Sequence, residues 1–364
     1  VSVFPGPLAV VQLELERLSA GGSAGALGDG GYGFAVASEV ASLSASANVP
    51  VDDAVLRRIR LLGWQRIVRL VRAPDPATAV HLLTSLRRES SHPQAAEAVP
   101  RLVQVVTQAQ RADGTWSFHP TSTLQAVLVE TATSARVLPE SERGAILRAE
   151  AAVERYAAQV NDPYTAAVLL ASGLADGDLA GPLLARVTDA IHTDDDTGER
   201  WIEPPVGVVN AWGAAPSRAE LLAWTVLALP TDAPERGDLA AALMQGWSSS
   251  SGFGAGPFDA VALEAMTSTL PTVSAPIALT LTIDGTSVAS ATLDPGQPRV
   301  PAMLAAPAGA VDAPFVVTAS PPMPGLAFVA TRRSWVPWSD ADRMAGVDLE
   351  IQAPPFAVGR EGVV

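Results

Sequence analysis

Residues 219–229 read AELLAWTVLAL, and a helix over this stretch is apolar on nearly every side. Residues 165–174 (TAAVLLASGL) and 259–266 (DAVALEAM) have the same character, and helices of this kind are buried all round. Residues 100–109 (PRLVQVVTQA) differ, because their apolar positions recur at i, i+3, i+4 and i+7 and form a single stripe. The alternation of the two kinds of helix, over residues 10 to 270, predicts an outer layer packed on an inner one.

Short loops that combine glycine or aspartate with an aromatic residue separate these helices. Examples are residues 113–116 (DGTW), 198–201 (GERW) and 247–254 (WSSSSGFG). Their spacing is irregular, so they indicate a degenerate repeat of amphipathic helix, loop and apolar helix.

The last part of the chain has the period of a β-strand. Apolar and small or polar residues alternate over residues 277–283 (IALTLTI), and Asp284-Gly285 then supplies the positive-φ positions of a tight hairpin turn. Further strands are predicted at residues 315–318, 326–329 and 347–351. These strands are too few to close a sandwich alone, so we expect them to pair with a strand at residues 1–4. The helical block is then an insertion into a β domain.

The composition excludes several kinds of chemistry. The 364 residues contain no cysteine, which excludes disulfides, thiolate metal sites, iron–sulfur clusters and a cysteine nucleophile. The formal net charge of −14 argues against a nucleic-acid partner, because phosphate neutralisation needs clustered cations. The arginines within residues 57–72 lie at helical spacing and favour a solvated helix face. No apolar run reaches the roughly 20 residues that a membrane span needs.

Several sequence segments together resemble the thioester domain of bacterial alpha-2-macroglobulins. They are residues 3–8 (VFPGPL), 15–18 (LERL), 107–116 (TQAQRADGTW), 252–265 and 326–329. The resemblance implies a mainly α fold with a β portion, in which an α/α toroid of paired helices is inserted into a β-sandwich (CUB- or macroglobulin-like) domain. The expected divisions are a flanking strand at 1–10, the toroid at 11–272, β-domain strands at 273–340, and a further β domain or linker at 341–364.

The chemistry of that family resides in a Tyr-Gly-Cys-x-Glu-Gln loop, where the cysteine sulfur and the glutamine carbonyl form a thioester. The matching positions hold Tyr32, Gly33, Phe34, Ala35, Val36 and Ala37. Phe34 stands at the cysteine position and Ala37 at the glutamine position, and neither side chain can form a thioester. The resemblance therefore implies a degenerate thioester loop, and its apolar side chains predict that it is packed as core.

Other candidate sites are weaker. In family members that transfer the acyl group through a histidine, that residue follows the Asp-Gly-aromatic loop, where His119 stands, but a plain loop histidine is favoured here because no acyl group exists. Asp194, Asp195 and Asp196 could hold a cation, although they lack EF-hand spacing and a solvated turn is favoured. No cofactor is expected.

The resemblance implies a non-enzymatic region of a cell-envelope, periplasmic or secreted protein, which traps or inhibits proteases sterically or serves as a binding scaffold. Its expected partners are proteins, including proteases, and other domains of a larger polypeptide. Two alternatives remain open. One is an α/α-toroid enzyme, terpene cyclase-like or glycan-active, that uses the acidic loop near Asp194. The other is a surface adhesion module.

Overall fold

The computed structural model describes residues 1–4, 6, 8–19, 29–47, 53–87, 92–119, 122–194, 199–248, 251–254, 258–269, 273–297, 301–306, 314–323 and 326–330. Within them the chain is mainly helical, with a smaller β portion. The α-helices are α1 (Leu8–Ser19), α2 (Asp29–Ala47), α3 (Asp53–Arg72), α4 (Pro76–Leu86), α5 (Pro93–Gln108), α6 (Leu124–Val137), α7 (Arg143–Tyr156), α8 (Pro163–Ser172), α9 (Gly177–Asp189), α10 (Arg218–Ala228), α11 (Pro234–Gln245) and α12 (Asp259–Thr267).

The helices from α2 to α12 alternate between two kinds, as the sequence pattern predicts. Residues 164–169 of α8 and 220–226 of α10 are buried on every side. By contrast, α5 and α7 bury one stripe each and expose the opposite face. The outer helices α3, α5, α7, α9 and α11 each pack on the even-numbered helix that precedes them. The even-numbered helices contact one another in chain order from α2 to α12, and α12 also contacts α2.

Side-chain caps fix where several of these helices begin. The N-cap residues Asp75, His92, Thr123, Asp162 and Ser217 each accept a hydrogen bond from the backbone N–H three residues later. Proline occupies the first turn of α4, α5 and α8, where its missing N–H costs nothing. The stripe predicted over residues 100–109 therefore belongs to a longer helix that begins at Pro93.

Within the described residues, the β portion contains two three-stranded antiparallel sheets and a short two-stranded ribbon. The strands are β1 (Ser2–Phe4), β2 (His192–Thr193), β3 (Arg200–Trp201), β4 (Ile277–Ile283), β5 (Thr286–Leu293), β6 (Ala302–Met303), β7 (Phe315–Ser320) and β8 (Ala327–Val329). The predicted hairpin joins β4 to β5, with φ values of 48° at Asp284 and 76° at Gly285. Its strand alternation is confirmed, because the four odd positions of β4 are buried.

The first strand pairs with two strands that follow the helices in the chain, as expected from the small number of predicted strands there. β1 lies between β6 and β8, with Val3 opposite Ala302 on one side and opposite Phe328 on the other. A second core cluster then joins Val3 and Ala302 of this sheet to Leu279 and Leu281 of the other. All twelve described helices therefore lie, in sequence, between β1 and the strands that it pairs with.

The contacts divide the chain into a compact unit, Val1–Val329, and a second unit, Ala330–Val364. The strand predicted at residues 347–351 and the boundary expected at residue 341 lie outside the described residues. Of the helices described, none combines the length and the apolar character that crossing a bilayer requires.

Candidate functional site

The residues that match the family's thioester loop lie in a helix, which corrects the prediction of a loop. Residues 32–37 form part of α2, and all of them are buried. Phe34, Val36 and Ala37 are each 0% exposed, in agreement with the expectation that they are packed as core. The helical backbone follows from a run of small and apolar residues that satisfies its N–H and C=O groups internally.

Phe34 packs outward from α2 toward α3 and α5. Its ring lies edge-on to Trp64 at a centroid distance of 6.5 Å and to His92 at 5.2 Å. Gly33 faces α3, because a Cβ there would lie 3.4 Å from the Cγ2 atom of Ile59, which is about van der Waals contact. Phe34 thus contributes an aromatic contact that joins α2 to Trp64 of α3 and to the N-cap residue of α5.

Tyr32, the first residue of this segment, borders a buried polar cluster. Glu14 of α1 accepts hydrogen bonds from the Nε atom of Arg17 at 2.9 Å and from the Nε1 atom of Trp247 at 2.5 Å. Burial raises the pKa of Glu14, and the charge of Arg17 opposes that rise. Burial, with the charges of Glu14 and Asp259, raises the pKa of the Tyr32 phenol well above its usual value.

A tight turn seals this cluster from outside. Gly252 has a φ of 63°, and a Cβ at this position would come within 2.8 Å of the Oε1 atom of Glu14. The turn closes through a reciprocal pair of 2.9 Å backbone hydrogen bonds between Ser248 and Gly252. The glycine-aromatic loop noted in the sequence therefore covers a carboxylate.

A second buried cluster lies where the first turns of α8 and α10 meet. The Tyr164 hydroxyl donates to Glu220 Oε1 at 2.5 Å, and the Asn210 amide donates to Glu220 Oε2 at 3.1 Å. Burial raises the pKa of Glu220 to about 7, and these hydrogen bonds oppose the rise. Because Glu220 is 1% exposed, the cluster offers no surface on which a substrate could meet the carboxyl group.

Gln125 extends this network to α6. Its Nε2 atom donates to the Thr165 hydroxyl and to the Val209 carbonyl, both at 3.0 Å, and its Oε1 atom accepts from the Val209 N–H at 3.1 Å. The N-terminal turns of α6, α8 and α10 are thereby joined at one end of the helices.

His119 lies beside a third buried carboxylate. Glu130 of α6 accepts a hydrogen bond from the Phe118 N–H at 2.6 Å and one from the Ser122 hydroxyl at 3.3 Å. Burial raises the pKa of Glu130, while the Phe118 N–H and the neighbouring His119 lower it. The cluster ties the loop after Trp116, in which His119 lies, to α6.

A cavity of about 30 Å³ lies among α4, α6, α10 and α12. Aromatic side chains line much of its wall, including Trp212, Trp224 and Phe258. Arg136 also lines it, with its guanidinium carbon 5.2 Å from the centre of the Trp224 ring and an Nη2 atom 2.8 Å from Glu264. A volume of this size holds about one water molecule.

Of the acidic triplet at residues 194–196, the structure describes only Asp194. Asp194 donates its N–H to the Glu199 carbonyl at 2.8 Å, next to the ribbon formed by β2 and β3. Asp195 and Asp196 lie outside the described residues. Within the described ranges, no group of three His, Asp or Glu side chains is placed to hold a metal ion.

Sequence reasoning missed three of the buried carboxylates, those of Glu14, Glu130 and Glu220. A signal for Glu220 exists, because Ser217 and Glu220 have the Ser-x-x-Glu spacing of a capping box. The Glu220 N–H does donate to the Ser217 hydroxyl at 3.1 Å. The carboxyl group, however, turns to Tyr164 and Asn210, which no local pattern indicates.

Comparisons of the chain with known protein families and with curated proteins found no match.

Proposed function

We propose that this chain is a non-enzymatic, protein-binding scaffold of the alpha-2-macroglobulin type, in which the thioester is lost. The helices from α2 to α12 would form an α/α toroid, with the even-numbered helices as its inner ring. The contact of α12 with α2 supports closure of that ring. The pairing of β1 with β6 and β8 supports insertion of the toroid into a CUB- or macroglobulin-like sandwich.

The observation that carries the proposal is the state of residues 32–37. A covalent trap needs a reactive acyl group that becomes accessible, whereas Phe34, Val36 and Ala37 are apolar and fully buried. These side chains contribute packing energy instead, since burying a Val or Phe side chain is worth about 1.5–3 kcal/mol. Any partner of this region would therefore be held without a covalent bond.

The mechanism would be steric. Cleavage of an exposed segment by a protease would release a rearrangement of packed domains around the protease, which is a known class of switching transition. The toroid would move as a rigid body, because its inner helices share one continuous core. This scheme places the protein in the cell envelope, the periplasm or outside the cell.

The test uses the natural polypeptide in which this chain occurs, incubated with a panel of proteases. We expect native-gel mobility to shift after limited cleavage, and the bound protease to keep cleaving a small chromogenic peptide while losing activity on a large protein substrate. The complex should separate completely in denaturing gels, because no covalent bond forms.

Methylamine, which attacks thioesters, serves as the matched control and should leave mobility unchanged. A protease adduct that survives denaturation would contradict the noncovalent mechanism. An unchanged mobility together with undiminished cleavage of the large substrate would contradict protease trapping.

A further inference from the structure

The outer helix α3 carries a row of arginines on a protein that is otherwise acidic. Six arginines stand in α3 against one carboxylate, that of Asp53, while the whole chain has a net charge of −14. The exposed members are Arg57, Arg58, Arg66, Arg69 and Arg72. They share one face of the helix, together with the exposed Leu61 and Gln65, and the row is roughly 22 Å long.

The row brings like charges close together. Arg66, Arg69 and Arg72 follow one another at i, i+3 spacing, where like charges on a helix repel. Repulsion of this kind is relieved when an anionic partner lies along the row, and binding to the folded state then adds stability.

A groove runs beside the row, between α3 and α5. Its volume is about 340 Å³, at the lower end of the ~300–1,000 Å³ range of ligand pockets. Its apolar wall includes Trp64, Val68, Val71 and Ala98. Its charged lining is Arg72, Arg101 and Glu97, so cations outnumber the single carboxylate. The Arg101 guanidinium donates a 2.7 Å hydrogen bond to the Arg72 carbonyl.

We propose that the α3 arginine row and the groove beside it bind an acidic polypeptide segment that inserts one large apolar side chain into the groove. This proposal rests on the binding function above and names the surface and the chemistry of the partner. The arginines would pair with carboxylates, for which the planar guanidinium is well matched. The groove would take the apolar anchor, which supplies affinity that charge alone does not.

The shape of the charged surface favours a single polypeptide segment over a membrane. The row is one helix face wide, and the chain without α3 is more acidic than the whole. The net negative charge of the rest of the chain would oppose its approach to an extended anionic bilayer. A narrow chain can follow the row alone.

The experiment measures binding of a fluorescein-labelled peptide of Glu and Asp with one central Phe, long enough to span the row. We expect saturable binding that weakens as salt is added. The variant Arg58→Glu/Arg69→Glu/Arg72→Glu should bind about 10- to 100-fold more weakly, because each exposed charge pair contributes modestly. The matched control, Arg143→Glu/Arg155→Glu/Arg186→Glu, makes the same change of charge on α7 and α9 and should bind nearly as wild type.

The groove is tested separately. Replacing the Phe of the peptide with Ser should weaken binding about 10-fold, and Gln94→Trp, at an exposed position that lines the groove, should abolish this preference while leaving the salt dependence. Circular dichroism and thermal melting establish that each variant is folded.

Equal losses in the two triple variants would overturn the proposal, and so would an absence of peptide binding. Sedimentation with phosphatidylglycerol vesicles, lost only in the α3 variant and stronger than peptide binding, would assign the row to lipid and also overturn it. The peptide assay contains no protease, so its result bears on the α3 surface alone. The native-gel experiment tests protease trapping separately, so the failure of one proposal can be told from the failure of the other.

Discussion

The neighbouring helices α2 and α3 have 19 and 20 residues and pack against each other, yet they differ in how much of their surface is buried. In α2, residues 31–37 are buried on every side, so small and apolar residues are required all round. In α3, only one stripe, which includes Leu56, Ile59, Ile67 and Val71, is buried. The comparison teaches that length and helical propensity do not determine where a helix lies, whereas the distribution of charge around it does.

The largest difference between the two helices is expected when an aspartate is introduced into each of them. Val36→Asp puts an unpaired carboxylate at a position that is 0% exposed, and we expect a loss of more than about 4 kcal/mol in the free energy of unfolding, or no folded protein. Arg69→Asp makes a larger change of charge on exposed α3 and should change that free energy by about 0.5 kcal/mol. Urea denaturation measures both, and near-native stability of Val36→Asp would contradict the burial of α2.

The pH dependence of the free energy of unfolding extends the comparison to an inner helix that contains an ionisable group. The pKa of Glu220 in α10 is raised to about 7, so between its unfolded value near 4.5 and 7 the folded state binds the proton more tightly. The stabilisation by this group is therefore complete below pH 4.5 and is lost as the pH rises through 7. We expect a fall of about 3 kcal/mol across that window.

The matched variant is Glu220→Gln, which is neutral at every pH. Its amide oxygen can accept from Asn210, and its NH2 group can donate to the Tyr164 hydroxyl, which donates to the carboxylate in the wild type. Its free energy of unfolding should depend less steeply on pH than that of the wild type, measured by urea denaturation at intervals from pH 4.5 to 8. Glu14 and Glu130, whose pKa values are also raised, remain as a common background in both proteins. Parallel pH profiles for the two proteins would show that Glu220 is not the titrating group.

The smallest expected effect concerns the arginine row. Arg58→Gln/Arg69→Gln/Arg72→Gln should leave the free energy of unfolding within about 0.5 kcal/mol of wild type, with a slight gain at low salt because like charges are removed. Thermal melting at low and high ionic strength measures this gain, which should disappear when salt screens the charges. A clear loss of stability at low salt would mean that these arginines hold the fold.

Patterns that are local in the sequence were predictable. The period of residues 277–283 and the Asp284-Gly285 turn define a hairpin without reference to the rest of the chain. The pairing of residues 1–4 also followed, because the C-terminal strands are too few to stand alone. The helices that are apolar on all sides were predictable because the distribution of charge around a helix indicates how it is buried.

The site was less predictable, because its contacts join residues far apart in the chain. Trp247 donates to Glu14 across 233 positions, and Tyr164 donates to Glu220 across 56. The helical state of residues 32–37 was missed because the resemblance supplied a loop, whereas the residues themselves are compatible with a buried helix. Phe34 was expected in the core, but nothing in the sequence indicates that it faces Trp64 and His92.

The position of β1 between β6 and β8 has a consequence for synthesis on the ribosome. Val3 emerges first, but its partner Ala302 follows roughly 300 residues later, which is roughly 15 to 60 s at ordinary rates of translation. During that interval, α1 to α12 can fold on the nascent chain, while β1 is an unpaired strand with both edges open. Until nearly the whole unit has been translated, β1 can therefore pair with other exposed strand edges in place of β6 and β8.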